Sequence, residues 1–429
     1  MRTKLWTIEE WQELFYTDID EWTCAYSERL SHLDAGARKS AITWMPDMER
    51  IRENAAAGFS AEKAAELAGV PFSLKDLFDL AQAPTTCGSR FYSQLVGTLE
   101  ENSEIADRFQ SSGAICVAKT TMNEFAYGLS GENLTYGNCQ HPLFPKFLSG
   151  GSSSGSAWAV GAGLTPVGIG TDTGGSIRVP SAWCGLFGLR MIPGLWMEKG
   201  AFPLAPSFDT AGWMTAHAAD MIRVCEALFP DDDLEMPDVK GLWIEHMNAP
   251  IYAELKEPYY RASLRANAEE DPAASDAFRE VCAGSSEAFS ILQSTEAASV
   301  HHAWLEDYRV AYEPKVWGLI DRGRHWSTEQ RHQADLKRQR ILAHFETLFA
   351  TYDYVALPAV HQFAPYAMEL TPELRDGLLA LTSPASLAGL PAITIPVFDE
   401  RRLSGGIQIV MPDLKLSRIR CILEAWKYR

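Results

Sequence analysis

The chain has 429 residues, 46% hydrophobic and 22% charged, an ordinary globular composition with enough apolar matter for a sizeable core. A formal net charge of −18 argues against a general nucleic-acid or anionic-membrane surface. No run approaches the roughly eighteen apolar residues of a spanning helix.

The N-terminal stretch turns acidic by Glu9 and lacks an apolar core segment, so no secretory signal is expected and the cytoplasm is the expected compartment. Residues 7–35 predict two helices: Thr7 and Glu10 form a capping-box pattern, and Trp11, Leu14 and Phe15 follow at helical spacing. "AGVPFSLKDLFDL" (68–80) predicts a short apolar strand ending near Lys75 and Asp76. Residues 102–128 predict helix, glycine turn, strand and helix, and "TPVGIGTD" (165–172) a buried strand entering a glycine-rich turn. Residues 215–350 are charged and mostly helical in pattern. Strand character returns in "YDYVALPAV", "PAITIPVF" and "GGIQIVMP". Strands interleaved with helices imply an α/β core. The strands on either side of the helical stretch are expected to share one sheet, making residues 1–429 a single domain. The Pro-rich tract around 203–238 is the only candidate boundary.

The eight cysteines are scattered with no C-x-x-C, and several sit in apolar surroundings, which fits reduced, mostly buried thiols. The ten histidines include no H-E-x-x-H, so no metal site is expected.

The stretch from Leu148 to Arg190 crowds serines and glycines together, yet "AWAVGAGLTPVGIG" and "VPSAWCGLFGL" are too apolar for a solvated linker. Glycine serves where backbone must approach closely, and serine where a hydroxyl must act. Ser152 lies in "SGGSSSGSA" and Ser176 in "GTDTGGSIRVP", twenty-four residues apart. A nucleophilic serine needs a base and nearby donors for an oxyanion. The amides of Thr173, Gly174, Gly175 and Ser176 could converge on such a position, and a lysine can be the base if burial lowers its pKa. Asp76 and Asp79 would oppose that shift in Lys75 if they lay close. Residues 151–155 also satisfy G-x-S-x-G with Ser153 as nucleophile, but that elbow requires a strand before it, and "HPLFPKFLSG" makes a poor one. The basic run Arg322, Arg324, Arg331, Lys337, Arg338 and Arg340 reads as a solvated helical face. Trp196, Met197 and Phe202 read as core or pocket wall.

These motifs resemble the amidase signature family of serine hydrolases. "VPFSLKDLFDLAQAPTTCGS" is similar to the family's lysine segment and "MNEFAYG" (122–128) to the helix after it. "GGSSSGSAWAVGAG" through "GIGTDTGGSIRVPSAWCGLFGLR" is similar to its defining stretch, with "SFDTAGWM" (207–214) close behind. "SPASLAGLPAITIPV" and "GGIQIVMP" are similar to its C-terminal strands. The resemblance implies a mixed central sheet covered by helices on both faces. It implies Lys75 as base, Ser152 as bridging serine after a cis peptide bond, and Ser176 as nucleophile. Thr173 to Ser176 would form the oxyanion hole. Asp172 and Arg178 would hold the loop, and Thr171 would contact a substrate amide. No cofactor or metal is implied; the partner would be a small amide, neither nucleic acid nor membrane, and a homodimer stays open. The family also includes the glutaminase component of a tRNA-dependent amidotransferase, and a catalytically idle binding protein could use the same scaffold. Two departures stand out: Ser154 replaces a usual glycine, and "MIPGLWMEKGAF" follows "GLR" where the family continues Pro-Thr and a glycine-rich turn.

Overall fold

The computed structural model describes residues 4–59, 65–229, 239–245 and 249–427. Its eleven strands are β1 (Ile42–Trp44), β2 (Pro71–Lys75), β3 (Ile115–Thr120), β4 (Val167–Thr171), β5 (Phe187–Arg190), β6 (Ala211–Thr215), β7 (Gly241–Trp243), β8 (Ala268–Glu270), β9 (Tyr354–Pro358), β10 (Ala392–Phe398) and β11 (Ser404–Val410). They form one mixed sheet in the order β1-β3-β2-β4-β6-β5-β10-β11-β9-β7-β8. β2 is parallel to both β3 and β4, whereas β5 pairs antiparallel with β6 and β10. Ala392 lies opposite Arg190, so strands from before and after the helical stretch share the sheet as expected. Strands β2, β3, β4 and β6 are buried along their whole length, because helices cover both faces.

The two N-terminal helices form at Ile8–Thr17 and Ile19–His32. The Thr7–Glu10 capping box closes the first, and the Asp18 carboxylate accepts the amides of Asp20 and Glu21 at the second. Their apolar stripe stacks Trp11, Phe15, Trp22 and Tyr26 into a separate cluster beside the sheet.

The glycine–serine stretch is packed interior. Helix Ser154–Gly161 presses onto β4 so closely that a Cβ at Gly168 would lie 2.6 Å from the Ser156 carbonyl oxygen. One at Gly170 would lie 2.5 Å from Ser153 Oγ. Small residues are therefore required on both sides of that contact.

Two expectations change. The segment "MNEFAYG" forms only a three-residue 3-10 turn, Glu124–Ala126. Phe125 and Ala126 take positive φ there, which turns the Phe125 ring onto Phe91 and Phe202. The helical stretch also carries β7 and β8, which extend the sheet beyond β9. Part of the Pro-rich tract, 230–238, lies outside the described residues. Six of the eight cysteines are buried.

Candidate active site

Lys75 ends β2 and is fully buried. Its Nζ lies 2.7 Å from Ser152 Oγ and 2.7 Å from Thr171 Oγ1, the last residue of β4. Burial pushes the Lys75 ammonium down from 10.5 to about 7, against the opposing fields of Asp209, Asp172 and Cys87. The acids that moderate Lys75 are thus not the sequence neighbours. Successive side chains of an extended segment point to opposite faces, and Asp76 turns away to meet Lys119 Nζ at 2.8 Å and the Thr86 hydroxyl.

The Gly151–Ser152 peptide bond is cis, as the family resemblance implied. The Gly151 amide donates to Leu129 O at 2.9 Å, and a Cβ on Gly151 would fall 2.1 Å from Asn123 Oδ1. Ser153, the elbow candidate, is engaged elsewhere. Its hydroxyl donates to Thr171 O (3.0 Å) and accepts the Thr171 amide (3.2 Å). Its own amide donates to Ser176 O at 3.2 Å, which ties the two serine loops together. The additional hydroxyl of Ser154 donates to Thr121 O.

Asp172 organises the second loop. Its carboxylate accepts the amides of Gly175 (2.7 Å), Ile177 (3.1 Å) and Arg178 (3.2 Å), and it meets the guanidinium groups of Arg178 (2.8 Å) and Arg190 (3.1 Å). Burial alone would raise the Asp172 pKa; the two arginines and the amides hold it well below the carboxylate range. Burial lowers Arg190 to about 10, with Asp172 and Asp209 acting the other way. Arg178 also donates to Thr382 O, Gln408 Oε1 and Ser386 Oγ, anchoring the loop to helix Pro372–Leu387 and to β11. Asp172 and Arg178 thereby tie the loop to its surroundings.

One expectation is corrected by this geometry. Gly175 cannot serve as an oxyanion donor while its amide is spent on Asp172 Oδ1. The amides of Thr173, Gly174 and Ser176 have no protein acceptor among the described residues. The Thr171 hydroxyl lies against Lys75 Nζ and so props the base. Sequence reading also missed Asp209, which accepts Thr173 Oγ1 (2.6 Å) and the amides of Leu204 and Ala205, and which burial pushes up to about 6. Thr382, missed as well, donates its hydroxyl to Gly174 O at 2.6 Å. The signal for Asp209 was present in "SFDTAGWM"; none marked Thr382.

A cavity of about 280 Å³ lies one residue away from the first serine loop; Lys75, Ser152 and Ser176 are not among its lining residues. Asn123, Gly128 and Leu129 line its side toward the Gly151–Ser152 bond. Leu378 lines it one turn before Thr382, and Tyr127, Leu319 and Arg375 form a further wall. No residue of 191–202 lines it. Trp196 instead stacks on Trp213 and Phe229, and Phe202 packs on Tyr92 and Phe125, so both belong to the core. The basic run divides too: Arg324 pairs outward with Asp321 and Glu306, Arg338 lies over the Phe208 ring, and Arg322 turns inward. Among the described residues no group of three or more His, Cys, Asp or Glu side chains is placed to hold a metal ion. No helix there is long and apolar enough to cross a membrane.

A family model described as Amidase matches residues 21–259. A glutamyl-tRNA(Gln) amidotransferase subunit from Synechococcus sp. (strain WH7803) is 30% identical over 417 residues, covering 85% of this chain and 83% of that protein. Amidase 1 of Oryza sativa subsp. japonica is 40% identical over 173 residues, a stretch that covers only 40% of either protein. The crystal structure of an amidase superposes with a TM-score of 0.81 at 26% identity, over 98% of this chain and 99% of the other. The site geometry, the family match and these likenesses agree: the chain belongs to the amidase signature family of carbon–nitrogen hydrolases.

Proposed function

We propose that the protein hydrolyses a carboxylic amide through an acyl-enzyme on Ser176, with Ser152 and Lys75 relaying the proton. The observation that carries this reading is the buried Lys75 amine, brought to about 7 and set 2.7 Å from Ser152 Oγ. A lysine at its ordinary pKa is almost wholly protonated at neutral pH and cannot act as a base.

Neutral Lys75 accepts the proton of Ser152 while Ser152 accepts that of Ser176, and Ser176 Oγ bonds to the amide carbon. Negative charge moves to the carbonyl oxygen, where the unspent amides of Thr173, Gly174 and Ser176 stabilise it. Losing one such donor costs about 3–4 kcal/mol in a comparable hydrolase. Ser152 then donates a proton to the leaving nitrogen, the C–N bond breaks, and the Lys75 proton returns to Ser152. Water resolves the ester by the same route, so no cofactor or metal enters the reaction.

The pH dependence of amide turnover tests the reading. Activity should rise along a single ionisation near pH 7, because only neutral Lys75 is competent. A limb in the carboxylate range near pH 4, or a Lys75→Ala variant with the same limb and rate, would contradict it.

A second reading draws on the likeness to the amidotransferase component over most of the chain. There the protein would release ammonia from glutamine only within a complex. Turnover of free amides by the isolated chain distinguishes the two.

A further inference from the structure

One wall of the cavity carries the guanidinium of Arg375, with that of Arg322 behind it, and among the described residues neither forms an ion pair with an acid. Arg375 lines it directly, beside Tyr127 and Leu319. Arg322 stands behind, with Nε and Nη2 buried and no acceptor for either among the described residues. The backbone explains its inward turn. A Cβ at Gly323 would fall 1.8 Å from Ser294 O, so the 3-10 turn Arg322–Arg324 is pressed against helix Ser285–His301. Arg324 is left outside with Asp321 and Glu306, while Arg322 goes in. Burial lowers the Arg375 pKa; Tyr127 and Asp376 act in the opposite sense, and the neighbouring Arg322 lowers it further. The Tyr127 hydroxyl donates to Leu319 O at 3.3 Å, leaving its lone pairs available to these cations.

Neither of the acids that line the same cavity pairs with these arginines. Glu132 meets Lys315 at 3.0 Å and accepts the Ser130 hydroxyl, and Glu313 accepts the Leu134 amide at 2.6 Å. Uncompensated buried charge is costly, and arginine donors favour planar, bidentate partners of opposite charge. Leu129, which lines the cavity, accepts the Gly151 amide at 2.9 Å, so a single residue stands between the cavity and the Gly151–Ser152 bond.

We infer that the cavity binds the acyl part of a substrate ending in a free carboxylate, with Arg375 and Arg322 as the carboxylate-binding pair. The substrate class is a half-amide of a dicarboxylic acid. This rests on Ser176 being the amide-cleaving serine, so the test separates the two questions.

Binding is read on Ser176→Ala protein, where turnover plays no part, by ligand-observed NMR titration. The probes are succinamate, glutaramate and adipamate, each against its neutral diamide. At least one acid should bind about 10-fold or more tightly than its diamide, the scale of a charge-assisted pair. Adding Arg375→Gln, and separately Arg322→Gln, should remove that preference, with urea unfolding curves confirming a folded protein in each case. Arg375→Gln, at the cavity surface, decides the matter if Arg322→Gln does not fold. Equal binding of acid and diamide in all three pairs, or a preference that survives both substitutions, overturns the inference. Fluorophosphonate labelling of the wild-type protein reports separately on Ser176. Failure there strikes the hydrolase reading and leaves the binding result standing.

Discussion

Replacing Lys75 with methionine removes a buried amine and keeps much of its volume. The amine titrates at about 7 in the fold against 10.5 as a free side chain. Between those values the unfolded chain binds a proton that the folded chain does not, so stability contributed at Lys75 rises with pH from about 7 to 10.5 and is lost on the way down. At pH 7 holding the amine neutral costs the fold roughly 4 kcal/mol, and at pH 9 roughly 2 kcal/mol. The bonds to Ser152 and Thr171 return about 1 kcal/mol each, with no such pH dependence. Lys75→Met should therefore gain on the wild type by roughly 2 kcal/mol more at pH 7 than at pH 9. Urea unfolding followed by tryptophan fluorescence at both pH values measures this, and the same variant should lose most of its amidase rate at neutral pH. An identical stability difference at pH 7 and pH 9 would show that Lys75 keeps an ordinary pKa, and the base assignment would fall with it.

Two further outcomes follow from the second serine loop. Arg178→Leu strips Asp172 of its main partner in a fully buried setting and should cost about 3–5 kcal/mol in urea unfolding; a loss below about 1 kcal/mol would mean that Arg190 and the amides suffice. Gly174→Ala puts a Cβ 2.6 Å from the Phe289 ring, so the turn must shift and turnover should fall. Adding Phe289→Leu should restore part of the rate, and strictly additive effects of the two substitutions would count against this steric account.

Much of the site was legible because its chemistry demands unusual residues in unusual company. A lysine in "VPFSLKDLF", the double glycine before Ser176 and the serine run at 152 mark themselves. The partners of those residues were not legible, because they are set by which face a strand presents and by distant chain. Asp76 sits next to Lys75 yet turns to Lys119, while Asp209 and Asp172 act on the amine from other segments. The donor role of Gly175 failed for a similar reason, since a turn tight enough to aim amides inward can also fold one onto the Asp172 carboxylate. Strands β7 and β8 have three residues each, too few for alternation to register. Arg322 reads as part of a solvated run until the packing of Gly323 on Ser294 is seen.

The central claim is that Ser176 carries the acyl group, and covalent labelling reads it most directly. The protein is treated with a fluorophosphonate, digested, and the modified residue located by tandem mass spectrometry. The adduct should map to Ser176, should be absent from Ser176→Ala, and should form much more slowly in Lys75→Ala. An adduct on Ser153, or equal labelling of Ser176→Ala and wild type, would contradict the account.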